Sequence, residues 1–409
     1  MKVLYVTGSN LAKNTSANMS HNGYVQGLLE NGASLDIIMA GDSFGENDTK
    51  LKKWEGVRYF VYPSLSWVDK FRAKGRTVVK ADTSKDEIVG AESKKATLQT
   101  MKSHFRSLLK RLFFLIFKPD PTYPFHKTWL KNAITFQSSE TYDLVVSNSS
   151  PAVSHRLVAE LLSKERIICK RWMQIWEDPW YYDLYGGHTD AELTEEHSLL
   201  RKAHEVYYVS PLTLHYQKKF FSDCADKMGY IPLPFLQFSE GVNKKSDIVS
   251  FGYFGDFFSI TRNLQPFYDA LVESGVRGNI CGDSDLNLKS TDNITVSGRV
   301  TLDVLEKVQD DTTVLVHLCN LRGGQIPGKI YHYSATEKPI LFILDGTEDE
   351  QKIIRDFFSQ YNRYCFCSNN KDSIASAMRK MMENIDDYTG HVVQEFSPKY
   401  IVEKLLGKH

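Results

Sequence analysis

Residues 323–345 read GGQIPGKIYHYSATEKPILFILD and close on Ile340 to Leu344, a run with no polar member. A strand that is apolar on both faces has to be covered on both faces, the condition of a parallel sheet with helices packed above and below it. Ahead of the run stand a turn at Glu337-Lys338-Pro339 and a short helix opened by Pro327-Gly328-Lys329. A lysine in a first helical turn lies beside free backbone N–H groups and the positive end of the helix dipole, surroundings that suit a phosphate-bearing ligand. The segment predicts an α/β core with an anion-binding loop.

The same alternation recurs in two blocks. Lys2–Thr7 reads as a strand ending at Gly8-Ser9-Asn10, a helix is expected over about 18–30, and Leu35–Ala40 is the next strand, ended by Gly41-Asp42. Strand, helix and strand in that order call for a parallel sheet with right-handed crossovers. Leu144–Ser147 ends in Asn148-Ser149-Ser150, a helix follows to about Leu162, and Arg166–Gln174 leads to an aromatic-acidic loop, Trp176-Glu177-Asp178-Pro179-Trp180. Val206–Val209 is one more strand of this block, and the mixed polar stretch 64–100 is an excursion from it. A second start comes at Ile248–Phe254, closed by Gly255-Asp256, with a helix expected from Arg262 to Glu273. Strands at 279–281, 294–296 and 314–318 precede the opening segment, and helices are expected at 348–361, 371–384 and 398–406. Cys365-Phe366-Cys367 alternates as a strand does.

A chain of 409 residues exceeds one comfortable core. The expected architecture is two Rossmann-like domains facing across a cleft. The first spans 1–235 with the terminal helix 396–409 crossing back to it, the second spans 246–395, and Gly229–Lys245 links them. Ligands of such sheets bind beyond the carboxyl ends of the strands.

Other chemistries lack their signatures. The formal net charge is zero, which argues against a general nucleic-acid surface. There is no GxGxxG, Walker A or GxSxG sequence. The six cysteines are scattered through apolar runs and read as buried free thiols, which favours the cytosol. The histidines show no paired zinc spacing. Asp283-Ser284-Asp285 has the form of a metal–diphosphate chelate, but it reads better as a polar loop after a short strand, so no metal is expected.

Taken together, strand–Gly255, Arg262-Asn263, Gly282-Asp283, Gly298-Arg299 and PGKIYHYSATEKPIL resemble the donor-binding domain of GT-B glycosyltransferases. The similarity is to the retaining, family-four-like group of bacterial polysaccharide biosynthesis, where a Pro-Ser-Lys-Leu-Tyr-Glu-Tyr-x-Ala-x-Gly-Lys-Pro segment precedes the last donor-side strand. Pro327, Lys329, Tyr331, Tyr333, Ala335, Lys338 and Pro339 match it. The resemblance implies a nucleotide-diphosphate sugar donor, such as a UDP- or GDP-sugar, and no separate cofactor. Its binding positions become Gly255, Arg262, Gly298, Arg299, Gln325, Pro327, Lys329, Ile330 and His332. Two departures stand out. The family's paired glutamates correspond to Gly324, on the sugar side, and His332, near the ribose. The basic residue that often follows the first-strand glycine is Asp256 here, which leaves Arg262 as the nearest cation for the diphosphate.

Glycosyl transfer needs the departing diphosphate stabilised as charge builds on it. Lys329 and Arg262 are the expected catalytic cations, and the resemblance implies no protein nucleophile. On the acceptor side Asp178, between two tryptophans, is the candidate carboxylate to orient or deprotonate an acceptor hydroxyl, with a turn aspartate before Pro179 as the competing reading. Residues 101–118, MKSHFRSLLKRLFFLIFK, carry cations and bulky apolar residues with no acid. They read as a helix lying on an anionic bilayer, or as an ordinary helix packed on the core. The expected acceptor is a saccharide or lipid-linked saccharide, and the expected location is the cytoplasm with peripheral contact at the inner face of the plasma membrane. A GT-B nucleotide-sugar epimerase and a non-catalytic nucleotide-sugar-binding protein remain the alternatives.

Overall fold

In the computed structural model, residues 1–13, 15–41, 47–48, 51, 53–65, 122–123, 126–183, 188–236, 248–322 and 325–408 are described. The first block supplies strands β1 (Lys2–Val6), β2 (Ser34–Ala40), β3 (Arg58–Tyr62), β4 (Thr141–Tyr142), β5 (Leu144–Asn148), β6 (Ile168–Cys169), β7 (Trp172–Trp176), β8 (Glu205–Tyr208) and β9 (Met228–Tyr230). Its helices are α1 (Ser16–Glu30), α2 (Lys127–Ala133), α3 (Val153–Ser163), α4 (Asp190–Lys202) and α5 (Pro211–Phe220). The second block supplies β10 (Ser250–Phe254), β11 (Arg277–Cys281), β12 (Ile294–Ser297), β13 (Val314–Leu318), β14 (Ile340–Leu344) and β15 (Tyr364–Ser368). Its helices are α6 (Gln265–Ser274), α7 (Leu302–Asp310), α8 (Lys329–Tyr333), α9 (Glu348–Ser359) and α10 (Lys371–Glu383), followed by the terminal α11 (Pro398–Leu405).

Seven of these strands form one sheet in the order β3-β2-β1-β5-β7-β8-β9, and six form another in the order β12-β11-β10-β13-β14-β15, while β4 and β6 pair separately. The pairings run parallel, with Tyr5 opposite both Ile37 and Val146, and Tyr253 opposite both Ile280 and Val316. The fully apolar strands are buried on both faces as their composition requires: all five residues of β14 are completely inaccessible. Strand order reverses at β1/β5 in one sheet and at β10/β13 in the other, and such switch points open the crevices in which α/β sheets bind ligands.

The sheets are joined in one core. Ile330, Tyr331 and Tyr333 of α8 lie in the same apolar cluster as Val3, Tyr5 and Tyr24. Tyr331 Oη donates to Val209 O at 3.1 Å, and Tyr216 Oη to Glu350 Oε1 at 3.3 Å. The terminal helix crosses back as expected: α11 packs so tightly on α1 that a Cβ at Gly27 would stand 2.1 Å from Pro398 O.

Three expectations change. The helix placed at Arg262–Glu273 begins at Gln265, because Arg262 closes a turn instead, its N–H donating to Phe258 O at 2.7 Å. The stretch taken as a linker from Gly229 starts inside the fold: β9 edges the first sheet, and the apolar Ile231, Leu233, Phe235 and Leu236 are buried. Helices α2, α4, α5 and α7 were not anticipated. The excursion beyond residue 65 and the basic stretch 101–118 lie outside the described residues. Among the described residues, no helix is long and apolar enough to cross a membrane.

Candidate functional site

The ends of β10 and β11 set the geometry of the second sheet's crevice. Gly255 N donates to Cys281 O at 2.8 Å, and a Cβ at Gly282 would stand 1.9 Å from Gly255 O, so only glycine lets the two loops pass. A Cβ at Gly255 would lie 3.9 Å from Lys329 Cε, which places the ammonium chain over the end of β10. Lys329 is half-buried. Burial pushes its pKa down, and nearby Asp256 opposes that shift. Since α8 has only five residues, its dipole is slight, and the charge on Lys329 matters more than the helix start.

Asp256 is the organiser of the cations here. Its carboxylate pairs with the Arg299 guanidinium and accepts from Asp283 N at 3.0 Å, while Arg299 N donates to Asp283 Oδ1 at 3.2 Å. A Cβ at Gly298 would stand 3.6 Å from the same Asp283 oxygen. Gly255, Lys329, Gly298 and Arg299 are therefore brought together at the strand ends. Asp285 belongs elsewhere: it accepts from Ser259 N and Oγ at 2.7 and 2.6 Å, so Asp283 and Asp285 each have a structural task. Among the described residues one His/Cys/Asp/Glu group is close-set enough to ligate a metal, His197, Asp223 and Cys224, and there Arg201 already pairs with Asp223 at 2.8 Å.

Arg262 stands apart from that group. Its Nε is buried without a partner among the described residues. Its charge helps burial lower His317 to about 3 and offsets the upward push of burial on the Tyr253 phenol. It therefore lies over the end of β13 and approaches Gly255 through Tyr253, whose hydroxyl would be 3.8 Å from a Gly255 Cβ.

The remaining donor-side positions divide. Ile330 is fully buried in the core, its N–H donating to Pro327 O at 3.4 Å, so it packs the helix rather than faces a ligand. His332 is neutral, its pKa brought to about 4 by burial and then by Lys329. Lys338, a motif match, is structural: its Nζ donates to the carbonyls of Gln309, Asp310 and Thr312 at 2.8, 2.7 and 2.7 Å and so caps α7. Gly324 lies outside the described residues.

Opposite them stands the end of β7. Asp178 accepts from Gln325 Nε2 at 2.8 Å, a bond from one half of the molecule to the other. Burial, with Asp183 nearby, raises the Asp178 pKa to about 6, against the pull of Gln325. The adjacent Glu177 turns inward, its pKa raised well above the ordinary value by burial and then by Asp178. Its Oε1 lies 3.4 Å from Nε2 of His21, which burial brings to about 3. His21 Nδ1 is 3.2 Å from Tyr5 Oη, to which Asn148 Nδ2 donates at 2.8 Å. Burial thus disfavours the charged form of both groups, and neither Glu177 Oε1 nor His21 Nε2 has a hydrogen-bond partner among the described residues. Sequence reasoning found Asp178 and Gln325 separately, and named Glu177, Asp256 and Arg299, but missed His21, its approach to Glu177 and the pairing of Asp256 with Arg299. The available signal for His21 was a polar cluster, Asn18-His21-Asn22, on the otherwise core-facing side of α1.

No protein-family model matches the chain, and no curated protein does. Solved structures do match over its length. A glycosyltransferase from Rickettsia africae aligns over 100% of this chain and 97% of its own, with TM-score 0.55 and 12% identity. AviGT4, a glycosyltransferase involved in avilamycin A biosynthesis, aligns over 100% and 96%, with TM-score 0.51 and 10% identity. An E. coli trehalose-6-phosphate protein bound with UDP-2-fluoro glucose aligns over 98% and 96%, also with TM-score 0.51 and 10% identity. The fold is GT-B: two Rossmann-like units with parallel sheets.

Proposed function

We propose that this chain is a glycosyltransferase that moves a sugar from a nucleotide-diphosphate donor, such as a UDP- or GDP-sugar, to a saccharide or lipid-linked saccharide. The observation that carries the reading is the cross-cleft bond from Gln325 to Asp178, 2.8 Å long, because it brings a carboxylate suited to an acceptor hydroxyl within one side chain of the loop leading to Lys329. On the donor side, Lys329 and Arg299 supply positive charge at the ends of β10–β12, where the departing diphosphate gathers negative charge. Asp178, with a pKa of about 6, is mostly ionised at neutral pH and orients the attacking hydroxyl. Neutral His332 is suited to the ribose hydroxyls. No residue is assigned as nucleophile, and the reaction proceeds with retention and without a metal, in the assembly of surface polysaccharide or another glycoconjugate. The protein works in the cytoplasm, at the inner face of the membrane where its acceptor is lipid-linked.

The test is a thermal-shift panel of UDP, GDP, ADP and dTDP and their sugars, repeated with Lys329→Ala. At least one nucleotide is expected to raise the Tm of the wild type. The substitution is expected to weaken that ligand on the order of tenfold to a hundredfold, the loss of one charge-assisted contact. A panel without any shift, or a shift indifferent to Lys329, removes the assignment. Product anomer analysis by NMR then decides retention.

A further inference from the structure

The segment that carries Asp178 has no regular secondary structure over residues 177–183, so its backbone N–H groups need partners from elsewhere. One comes from α4. Glu196 is fully buried, and its Oε2 accepts from Tyr181 N at 2.7 Å. The N–H of Trp180 also bonds to this carboxyl. The same turn is gripped from the side: Trp180 stacks on Tyr123 at 5.3 Å, and Tyr123 Oη donates to Glu195 Oε1 at 3.1 Å. A buried carboxyl is a costly means of holding a loop, since an apolar residue of similar size would avoid the desolvation. Its second oxygen, Oε1, and the hydroxyl of Tyr208 below it are both buried without partners among the described residues. The fold tolerates these unmet groups beneath the turn that follows Asp178.

We infer that Glu196 is the positioning residue for Asp178: by gathering the N–H groups of Trp180 and Tyr181 it fixes the turn after Pro179 and so aims the Asp178 carboxylate at Gln325. The inference rests on the transferase reading for its purpose, but the geometry it claims is testable by itself. Burial raises Glu196 to about 7, with the two N–H groups pulling the other way and Glu192 adding to the rise. The contact is therefore between the turn and a carboxyl that accepts in either protonation state.

The experiment uses the full chain as wild type, Glu196→Ala and Glu196→Gln. Hydrogen exchange is followed at the Tyr181 amide, and the Asp178 carboxyl is titrated by carbon-13 NMR, assigned with Asp178→Asn. In Glu196→Ala the Tyr181 amide is expected to exchange on the order of tenfold faster. Water reaching the loosened turn is expected to bring the Asp178 titration down toward the ordinary carboxylate range. Glu196→Gln, which keeps an accepting oxygen, is expected to restore both, an outcome that general loss of packing does not produce. Should Glu196→Ala not fold, Glu196→Asp, which withdraws the oxygen by one methylene, is expected to move both readouts in the same direction. An Asp178 titration unchanged in a folded Ala or Asp variant overturns the inference. Binding of UDP, GDP, ADP and dTDP is measured alongside: their failure to bind the wild type would count against the transferase, while the amide and carboxyl readouts still judge Glu196.

Discussion

Gln325 Nε2 donates to Asp178 Oδ1 at 2.8 Å, and through this bond the loop before α8 touches the end of β7. The carboxyl it reaches is held at a pKa of about 6, chiefly by burial. The folded state thus binds the Asp178 proton more tightly than the unfolded chain. Between the ordinary carboxylate value, about 4, and the folded value, stability falls as pH rises; above that window the whole cost is present. Asp178→Asn removes the titration and keeps an oxygen for Gln325. It is expected to stabilise the protein by about 1–3 kcal/mol at neutral pH, with the gain fading toward about pH 4. Thermal melts across that range check it. A variant less stable than wild type at neutral pH would mean that the structure stabilises the Asp178 charge after all.

Under the proposed function, Asp256 occupies ground that a diphosphate needs. Its carboxylate pairs with Arg299, and it is the main group opposing the burial-driven fall in the Lys329 pKa. Replacing it by Asn keeps the shape, leaves Arg299 paired with Asp283 alone and removes a like charge from the phosphates. Binding of the nucleoside diphosphate is expected to tighten on the order of threefold to tenfold, measured by calorimetry at low salt. Weaker binding in Asp256→Asn would instead give Asp256 the task of holding Arg299 in its binding pose.

The strands were legible because a run such as Ile340–Leu344 has no face to give to water, and because glycines such as Gly255 and Gly282 mark the strand ends. Lys329 beside Gly255 followed from that pattern together with the motif. Arg262 did not, since a turn closing on Phe258 O leaves no local trace that separates it from the first turn of a helix. Lys338 shows the converse: a residue that matches a functional motif spends its three protons on the end of α7. The meeting of Asp178 with Gln325, and of Glu177 with His21, joins residues distant in the chain, and no local periodicity encodes it. The acceptor side was hardest to read because its two adjacent carboxyls are half-buried alike and differ only in partner, His21 for Glu177 and Gln325 for Asp178.

Gly282 tests whether the crevice depends on contact or on backbone freedom. A Cβ there would stand 1.9 Å from Gly255 O, a backbone atom that cannot swing aside. Gly282→Ala is expected to cost about 3 kcal/mol or more and to abolish nucleotide-induced stabilisation, because the loops after β10 and β11 must separate. Gly32→Ala is the control. Gly32 has φ +75 and nothing within 4 Å of the added Cβ, so only the left-handed conformation is penalised, at about 1 kcal/mol with nucleotide binding intact. Equal losses in the two variants, measured by denaturant melts, would remove the close crossing as the reason for glycine at 282.

Gly27 bears on how the terminal helix is held. On α1, a Cβ at this position would stand 2.1 Å from Pro398 O and 2.6 Å from Val402 Cγ2. Beside it, Asn31 Nδ2 donates to Lys399 O at 3.1 Å. Ile401 and Val402 of α11 are fully buried in the cluster that includes Tyr24, Val25 and Leu28. Removing a Cβ-sized space from the contact forces α11 off the first sheet's helix, and two large apolar side chains are worth about 1.5–3 kcal/mol each when buried. Gly27→Ala is expected to lower the Tm and to speed hydrogen exchange in residues 397–406 far more than in β1 or β5. Because Lys329 and Arg299 lie at the other sheet, nucleotide affinity is expected to stay within about twofold of wild type, as for a distant, independent site. If exchange rises evenly through α1, β1 and α11, then α11 is part of one cooperative unit with the first sheet rather than a helix docked upon it.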